Sequence, residues 1–319
     1  MVEGAALEMP FRGNSNEGSN PSLSVAGLPP LIVLDPLLQS WLIEDIGRGD
    51  RTTQALFPNE FVLTSRDEGQ AEWILKEPGV VAGLPLARRI FQLLSGHTSF
   101  VAKIREGASC TAGEPIARLC GPVDALLMGE RVALNLVMHL SGIATLTRRY
   151  AEKIADLPTQ LVDTRKTTPG LRLLEKYATQ VGGAVNHRLG LDDAVMIKDN
   201  HILAAGGIAQ AITRVRAQIP FPLAVEVETE TLDQVQEALA HQADIIMLDN
   251  MPLDQMHQAV QQIRSHSDRI KIEASGNITL ETIRPVAQTG VDYISTSATI
   301  TRAPWLDCSM NIVFGEPQE

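Results

Sequence analysis

From Leu161 onward, apolar and polar stretches alternate with a regular beat. Short apolar runs stand at 161–163, 194–197, 223–227, 245–248, 270–273 and 291–295. Between the later runs lie helix-length amphipathic segments. Leu232, Val235 and Leu239 share one face of 231–240, and Leu280, Ile283 and Val286–Ala287 share one face of 279–288. Strand, helix, strand repeated in this way predicts parallel strands joined by right-handed crossovers. The fold class is therefore α/β. Such a run can close into a barrel or stay open as a doubly wound sheet.

The first half has a different texture. Ordered structure is expected from about Leu31, with a helix starting over 35–41 and Pro36 at its first position. Residues 71–84 and 98–119 mix short β-rich runs with Gly and Pro breakers, as in a small α+β domain. Asp124, just after Pro122, is placed to cap a long helix running to about Ile154, with Gly142 inside it as a candidate break. That helix, or helix pair, would join two domains, the number that 319 residues suggest. Residues 11–30 are dominated by Gly, Ser, Asn and Pro and offer too little apolar area to offset ordering entropy, so 1–28 reads as a flexible extension. The acids Glu3, Glu8 and Glu17 argue against a transit peptide.

The strand ends carry the chemistry: DTRK at 163–166, KDN at 198–200, EVE at 226–228, LDN at 248–250, EASGN at 273–277 and STSAT at 295–299. In barrels the carboxyl ends of the strands build the active site, so this pattern favours a barrel. Arg165 with Lys166, His187 with Arg188, and Lys198 then converge on one mouth. Charge makes the convergence informative. With 27 Lys+Arg against 38 Asp+Glu the chain carries −11, repels polyanions, and is not expected to bind nucleic acid. A cationic cluster in such a chain implies an anionic ligand, carboxylate or phosphate, although any single Arg is more simply a surface ion pair.

Glu228 and Asp249 end successive strands. Paired carboxylates facing a cationic pocket can hold Mg²⁺, directly or through water, or stabilise positive charge on a sugar carbon; capping the following helix is the plainer alternative. Glu226, next to this position, is expected on the opposite face. Ala274–Asn277, before a helix starting near Thr279, and Ser295–Thr299 offer backbone N–H groups and hydroxyls to a phosphate. Lys198 also admits an aldolase-type barrel with a Schiff-base lysine, against which the neighbouring Asp199 argues. The three cysteines, an odd number without a CxxC pair, favour neither a disulfide scaffold nor structural zinc. No apolar run approaches the ~18 residues of a membrane span, and no secretory signal opens the chain, so the expected location is the cytoplasm.

The stretch DTRKTTPGLRLLEKYATQVGGAVNHRLGLDDAVMIKDN at 163–200 closely resembles the quinolinate phosphoribosyltransferase family. EDIGRGDRTT at 44–53, GVVAGL at 79–84, ERVALNLVMHLSGIAT at 130–145, VEVETETL at 225–232, LDN at 248–250 and ASGNIT at 274–279 resemble it too, in its order, so that the likeness covers about 36–315. The resemblance implies an α/β sandwich domain over 29–144 plus 305–319 and an incomplete, TIM-like α/β barrel over 145–304. It implies transfer of phosphoribosyl from phosphoribosyl pyrophosphate to quinolinate with Mg²⁺, in which the product loses CO2. It places quinolinate binding on Arg165, His187, Arg188 and Lys198. Arg131 would reach the partner's site in a homodimer. Contacts to phosphoribosyl pyrophosphate and its metal would fall on Lys166, Lys198, Glu228 and Asp249, with Lys166, Glu228 and Asp249 catalytic. The phosphate cradle would use Ser275, Gly276, Ser295 and Ser297. Two positions depart from the family, which often has a second glycine where Asn277 stands and a glycine at Ser297; both touch the cradle. A relative taking another pyridine or heterocyclic acid is the alternative within the fold, against which the full DTRKT, NHR and KDN set argues.

Overall fold

The computed structural model describes residues 27–56 and 68–313. The expected extension over 1–28 thus falls almost wholly outside the described residues. In chain order the elements are α1 (Leu31–Ile46), α2 (Arg51–Leu56), β1 (Glu68–Leu75), β2 (Gly79–Val80), α3 (Leu84–Leu94), β3 (Ser99–Ala102), β4 (Ser109–Cys110), β5 (Pro115–Pro122) and α4 (Val123–Glu152). Then come β6 (Gln160–Val162), α5 (Arg172–Gly182), β7 (Val195–Ile197), α6 (Asp199–Ala205), α7 (Ile208–Arg216), β8 (Val225–Thr229), α8 (Leu232–Ala240) and β9 (Ile245–Asp249). The chain continues through α9 (Leu253–His266), β10 (Lys271–Ser275), α10 (Ile283–Ala287), β11 (Tyr293–Ser295), α11 (Ala298–Thr301) and β12 (Cys308–Val313).

The first sheet runs β12-β1-β5-β3, all antiparallel, so the end of the chain returns to pair with its first strand. Its core centres on the buried Trp73, whose ring meets Phe91 and Phe100 edge-on at 6.2 and 5.6 Å. The stripe Leu34, Leu38 and Leu42 seals α1 onto this core. That stripe also corrects the expected start of α1: the helix begins at Leu31, and Pro36 lies inside it. The ring forfeits one N–H bond to the carbonyl of Ile32, a residue 84% exposed, where water can satisfy the oxygen.

The long helix α4 has 30 residues, about 45 Å. It is unbroken. Pro122, not Asp124, is the cap residue, and Asp124 sits in the first turn, where its charge suits the positive end of the helix dipole. Gly142 marks no break. A Cβ there would run into the carbonyl of Pro304, so glycine lets the returning chain cross the helix. Residues from Leu126 to Ala144 pack in the first core, and Tyr150 packs in the second. The division between cores is not the division of the sequence, because Leu174, Tyr177, Ala178 and Val181 of α5 also join the first core.

The second sheet is parallel throughout, in the order β6-β11-β10-β9-β8-β7. The last strand pairs with the first, and between them the order runs without reversal. A doubly wound sheet would reverse; this order is a barrel left open between β6 and β7. Val185 adds a single parallel bridge to Val162 at that opening. Outward residues such as Val225, Val227, Ile246, Leu248, Ile272 and Ala274 are fully buried under the helices. No helix among the described residues is long and apolar enough to cross a membrane.

Candidate active site

The strands look apolar in sequence because their outward faces are. Their inward faces are polar. Glu226, expected on the opposite face from Glu228, shares its face, since positions two apart in a strand point the same way. The parallel register sets Glu228 beside Met247, Glu273 beside Met247, and Ser275 beside Asp249. The barrel therefore carries acids where an ordinary barrel would carry branched apolar side chains.

At the carboxyl ends of the strands lies a cavity of about 970 Å³. Arg165, Lys166, His187, Arg188 and Lys198 line it, with Glu228 and Asp249 and with Ser275, Gly276, Ser295 and Ser297 of the two loops. Arg131 is the one expected residue outside it; the side chain is exposed on α4. Burial and the charge of Arg165 both press the Arg188 guanidinium below its usual pKa. Two guanidiniums held close enough to disfavour each other make a site that an anion relieves. Arg165 Nε is buried and has no hydrogen-bond partner among the described residues, which leaves it a donor for such an anion. Lys198 Nζ is ion-paired with Glu228 Oε2, joining the cationic and acidic sides.

Sequence reasoning missed what holds this mouth in place. Asp163, fully buried, binds Lys176 Nζ and accepts from Thr179 Oγ1 at 2.8 Å, Asn186 Nδ2 at 2.7 Å and the His187 N–H at 2.9 Å. Burial lowers the Lys176 pKa and the charge of Asp163 opposes that shift. Glu175 accepts from the Thr168 N–H at 2.8 Å and meets His139 Nε2 of α4 at 2.9 Å. Burial alone would raise its pKa, but these partners outweigh burial and lower it. The D of DTRK and the N of NHR are thus internal anchors, a distinction the sequence does not carry.

Beneath the mouth, His187 Nε2 lies 3.4 Å from both Glu226 Oε2 and Glu273 Oε2. Burial disfavours a charged ring, yet the two carboxylates outweigh it and raise the His187 pKa. Burial likewise raises Glu226, against the pull of His187. The other ring nitrogen, Nδ1, lies 2.7 Å from the Arg188 N–H, a contact that needs a lone pair there and so opposes the protonation that the two carboxylates favour; when the ring is neutral this contact places its proton on Nε2. These three side chains are spaced closely enough to surround a cation. The tautomer argues against it, because a metal on Nε2 would need the proton on Nδ1. Glu228 and Asp249 suit a hard cation better. One oxygen of each is engaged, by Lys198 and by Asn250, and one of each is left for an ion that a phosphorylated ligand would help to hold.

The expected helix start at Thr279 is a turn; α10 begins at Ile283. Thr279 N–H donates to Thr282 Oγ1 at 2.8 Å, and the N–H groups of Glu281 and Thr282 donate to Thr279 Oγ1 at 3.2 and 3.3 Å. Those N–H groups are spent internally and are not free to meet a phosphate, so any anion bound here would have to be met by the residues of the preceding loop.

Two family models match the chain: quinolinate phosphoribosyl transferase, N-terminal domain, over residues 50–141, and the C-terminal domain of the same family over 143–311. A probable nicotinate-nucleotide pyrophosphorylase [carboxylating] of Synechocystis is 59% identical over 286 residues, covering 90% of this chain and 95% of that one. A probable enzyme of the same name from Bacillus subtilis is 43% identical, covering 88% and 93%. Among solved structures, NadC from Streptococcus pyogenes superposes with a TM-score of 0.84 at 41% identity, covering 90% of this chain and 99% of that one.

Proposed function

The chain belongs to the quinolinate phosphoribosyltransferase family, and from that premise we propose that it joins quinolinate to phosphoribosyl pyrophosphate. The products are nicotinate mononucleotide, pyrophosphate and CO2, a step that supplies NAD biosynthesis. The observation that carries this reading is the meeting of Arg165, Arg188 and Lys198 with Glu228 and Asp249 in one cavity.

Quinolinate brings two adjacent carboxylates on a pyridine ring. Arg165 and Arg188 take them, and the anion relieves the repulsion between the two guanidiniums. His187, anchored through its N–H to Asp163 and facing Glu226 and Glu273, forms one wall of the pocket and presents an Nε2 proton to those carboxylates in either protonation state. Arg131, outside its own chain's cavity, reaches the cavity of a second copy in a homodimer. The ring nitrogen has a free lone pair, so no general base is needed. Attack at the ribosyl carbon breaks the bond to pyrophosphate through an oxocarbenium-like state. Lys166 neutralises the departing oxygens, and Glu228 and Asp249 face the positive sugar. Glu228 and Asp249 would also hold Mg²⁺, which when bound supplies charge neutralisation to the pyrophosphate. The alkylated nitrogen is cationic, so losing the neighbouring carboxylate as CO2 leaves an ylide that this charge stabilises. A proton then completes the product.

An imine-forming role for Lys198 is disfavoured by its ion pair with Glu228, which engages the amine. The test is turnover. The chain with quinolinate, phosphoribosyl pyrophosphate and Mg²⁺ forms nicotinate mononucleotide, and another pyridine acid replacing quinolinate as the better substrate would overturn the assignment.

A further inference from the structure

The loop after β10 crosses the end of β9 through a chain of side-chain amides. Asn277 Nδ2 donates to Asn250 Oδ1 at 3.0 Å, and Asn250 Nδ2 donates to Asp249 Oδ2 at 2.7 Å. The backbone is built for this crossing. Asn250 N–H donates to Ser275 O at 3.0 Å, and both asparagines hold left-handed backbone, at φ 54° and 52°. A Cβ on Gly276 would overlap the Asn250 amide, so only glycine fits between them.

The direction of the chain is not free. A carboxylate only accepts, so Asn250 must turn its NH₂ to Asp249 and its carbonyl to Asn277. Asn277 must then present its NH₂. One acceptor-only group at the end orients both amides.

We propose that Asn277 is a positioning residue that acts through Asn250 to aim the carboxylate of Asp249 at the reacting sugar. The inference rests on the phosphoribosyl-transfer reading and deepens it. One oxygen of Asp249 is tethered by the relay, and the other is left facing the ligand. The relay couples two loops, so the phosphate loop and the catalytic acid move as a unit. Asn277 does this from a backbone conformation that glycine also tolerates, which makes N277G a substitution without backbone strain.

The test compares N277G and N277D with the wild type and repeats N277G on a D249N background. Loss of an outer partner typically costs 10- to 100-fold, so N277G should lower kcat about 10-fold with the KM for quinolinate unchanged. N277D should lower it further, about 100-fold, because its carboxylate faces the Asn250 carbonyl and drives that amide to flip away from Asp249. On the D249N background N277G should change kcat by less than about 2-fold, since the group it aims is gone. Wild-type rates in N277G would overturn the proposal. So would a full loss on the D249N background, which would mean that Asn277 meets the phosphates directly. Crystal structures of the wild type and N277G test the relay apart from turnover. Asp249 turned away from Asn250 in N277G supports it, and an unmoved Asp249 overturns it. An inactive wild type would refute the transfer reading and leave that structural comparison standing.

Discussion

Glu175 and Lys176, adjacent on α5 and both buried, grip opposite ends of the loop that carries Arg165 and Lys166. Glu175 holds Thr168 and Lys176 holds Asp163. Neighbouring helix residues point about 100° apart, so one helical turn can face both loop ends. The loop between them is pinned at both ends while its cationic side chains stay in the cavity.

Breaking this grip should be costly. Lys176→Met strands the Asp163 carboxylate in the interior, and removing one partner of a buried pair costs about 3–5 kcal/mol. Adding Asp163→Asn to make K176M/D163N should recover part of that loss, since it removes the orphaned charge. Urea unfolding of both variants checks the order. Equal stability of K176M and the wild type would show that the pair holds nothing.

Arg165→Ala should leave a folded protein with quinolinate affinity at least about 30-fold weaker, the loss expected for one charge-assisted partner worth about 2 kcal/mol. Calorimetric titration of quinolinate measures it, and an unchanged Kd would take the carboxylates elsewhere. Asp249→Ala should do the reverse: kcat falls by about 100-fold or more while quinolinate affinity stays within about 3-fold.

Glu106 gives a pH dependence of stability. Its carboxylate accepts from the N–H of Gly83, from the Leu84 N–H at 3.1 Å and from Tyr177 Oη at 2.7 Å. Burial outweighs these bonds and raises its pKa to about 7. A carboxyl raised in the folded state binds its proton more tightly there than in the unfolded chain. Its contribution to stability is therefore fully present below the ordinary Glu range and falls as pH rises from about 4.5 to 7, by up to about 3 kcal/mol. Glu106→Gln should flatten that slope. Melting temperatures at pH 5 and 7.5 check it, and identical slopes in variant and wild type would remove Glu106 as the cause.

Gly142→Ala tests the crossing of α4 by the returning chain. Alanine improves helix propensity by about 1 kcal/mol, but its Cβ must displace the Pro304 backbone. A net destabilisation of about 1–3 kcal/mol is expected in urea, and a net gain would show that the crossing is loose.

Much of this was legible in the sequence because the barrel's punctuation is local. A strand end announces itself by a polar residue after an apolar run, and Arg165, Lys198, Glu228 and Asp249 all sit at such places, whereas His187 lies in a loop after the single bridge of Val185. What was not legible depends on distance. Asp163 and Asn186 look like site residues of the same kind as their neighbours, and only the fold shows them turned inward to Lys176 and Thr179. Glu226 was readable, since a spacing of two from Glu228 puts both on one face. Gly142 resembles a helix breaker until Pro304 is seen to lie against it. Pro36 resembles a helix start until the leucines on either side of it set the true one.

The most direct measurement uses quinolinate labelled in the carboxyl group next to the ring nitrogen. Labelled CO2 should appear only when phosphoribosyl pyrophosphate is present, one for each nicotinate mononucleotide formed, because ribosylation creates the charge that permits decarboxylation. Release of the label without phosphoribosyl pyrophosphate, or a ribosylated product that keeps it, would contradict the account.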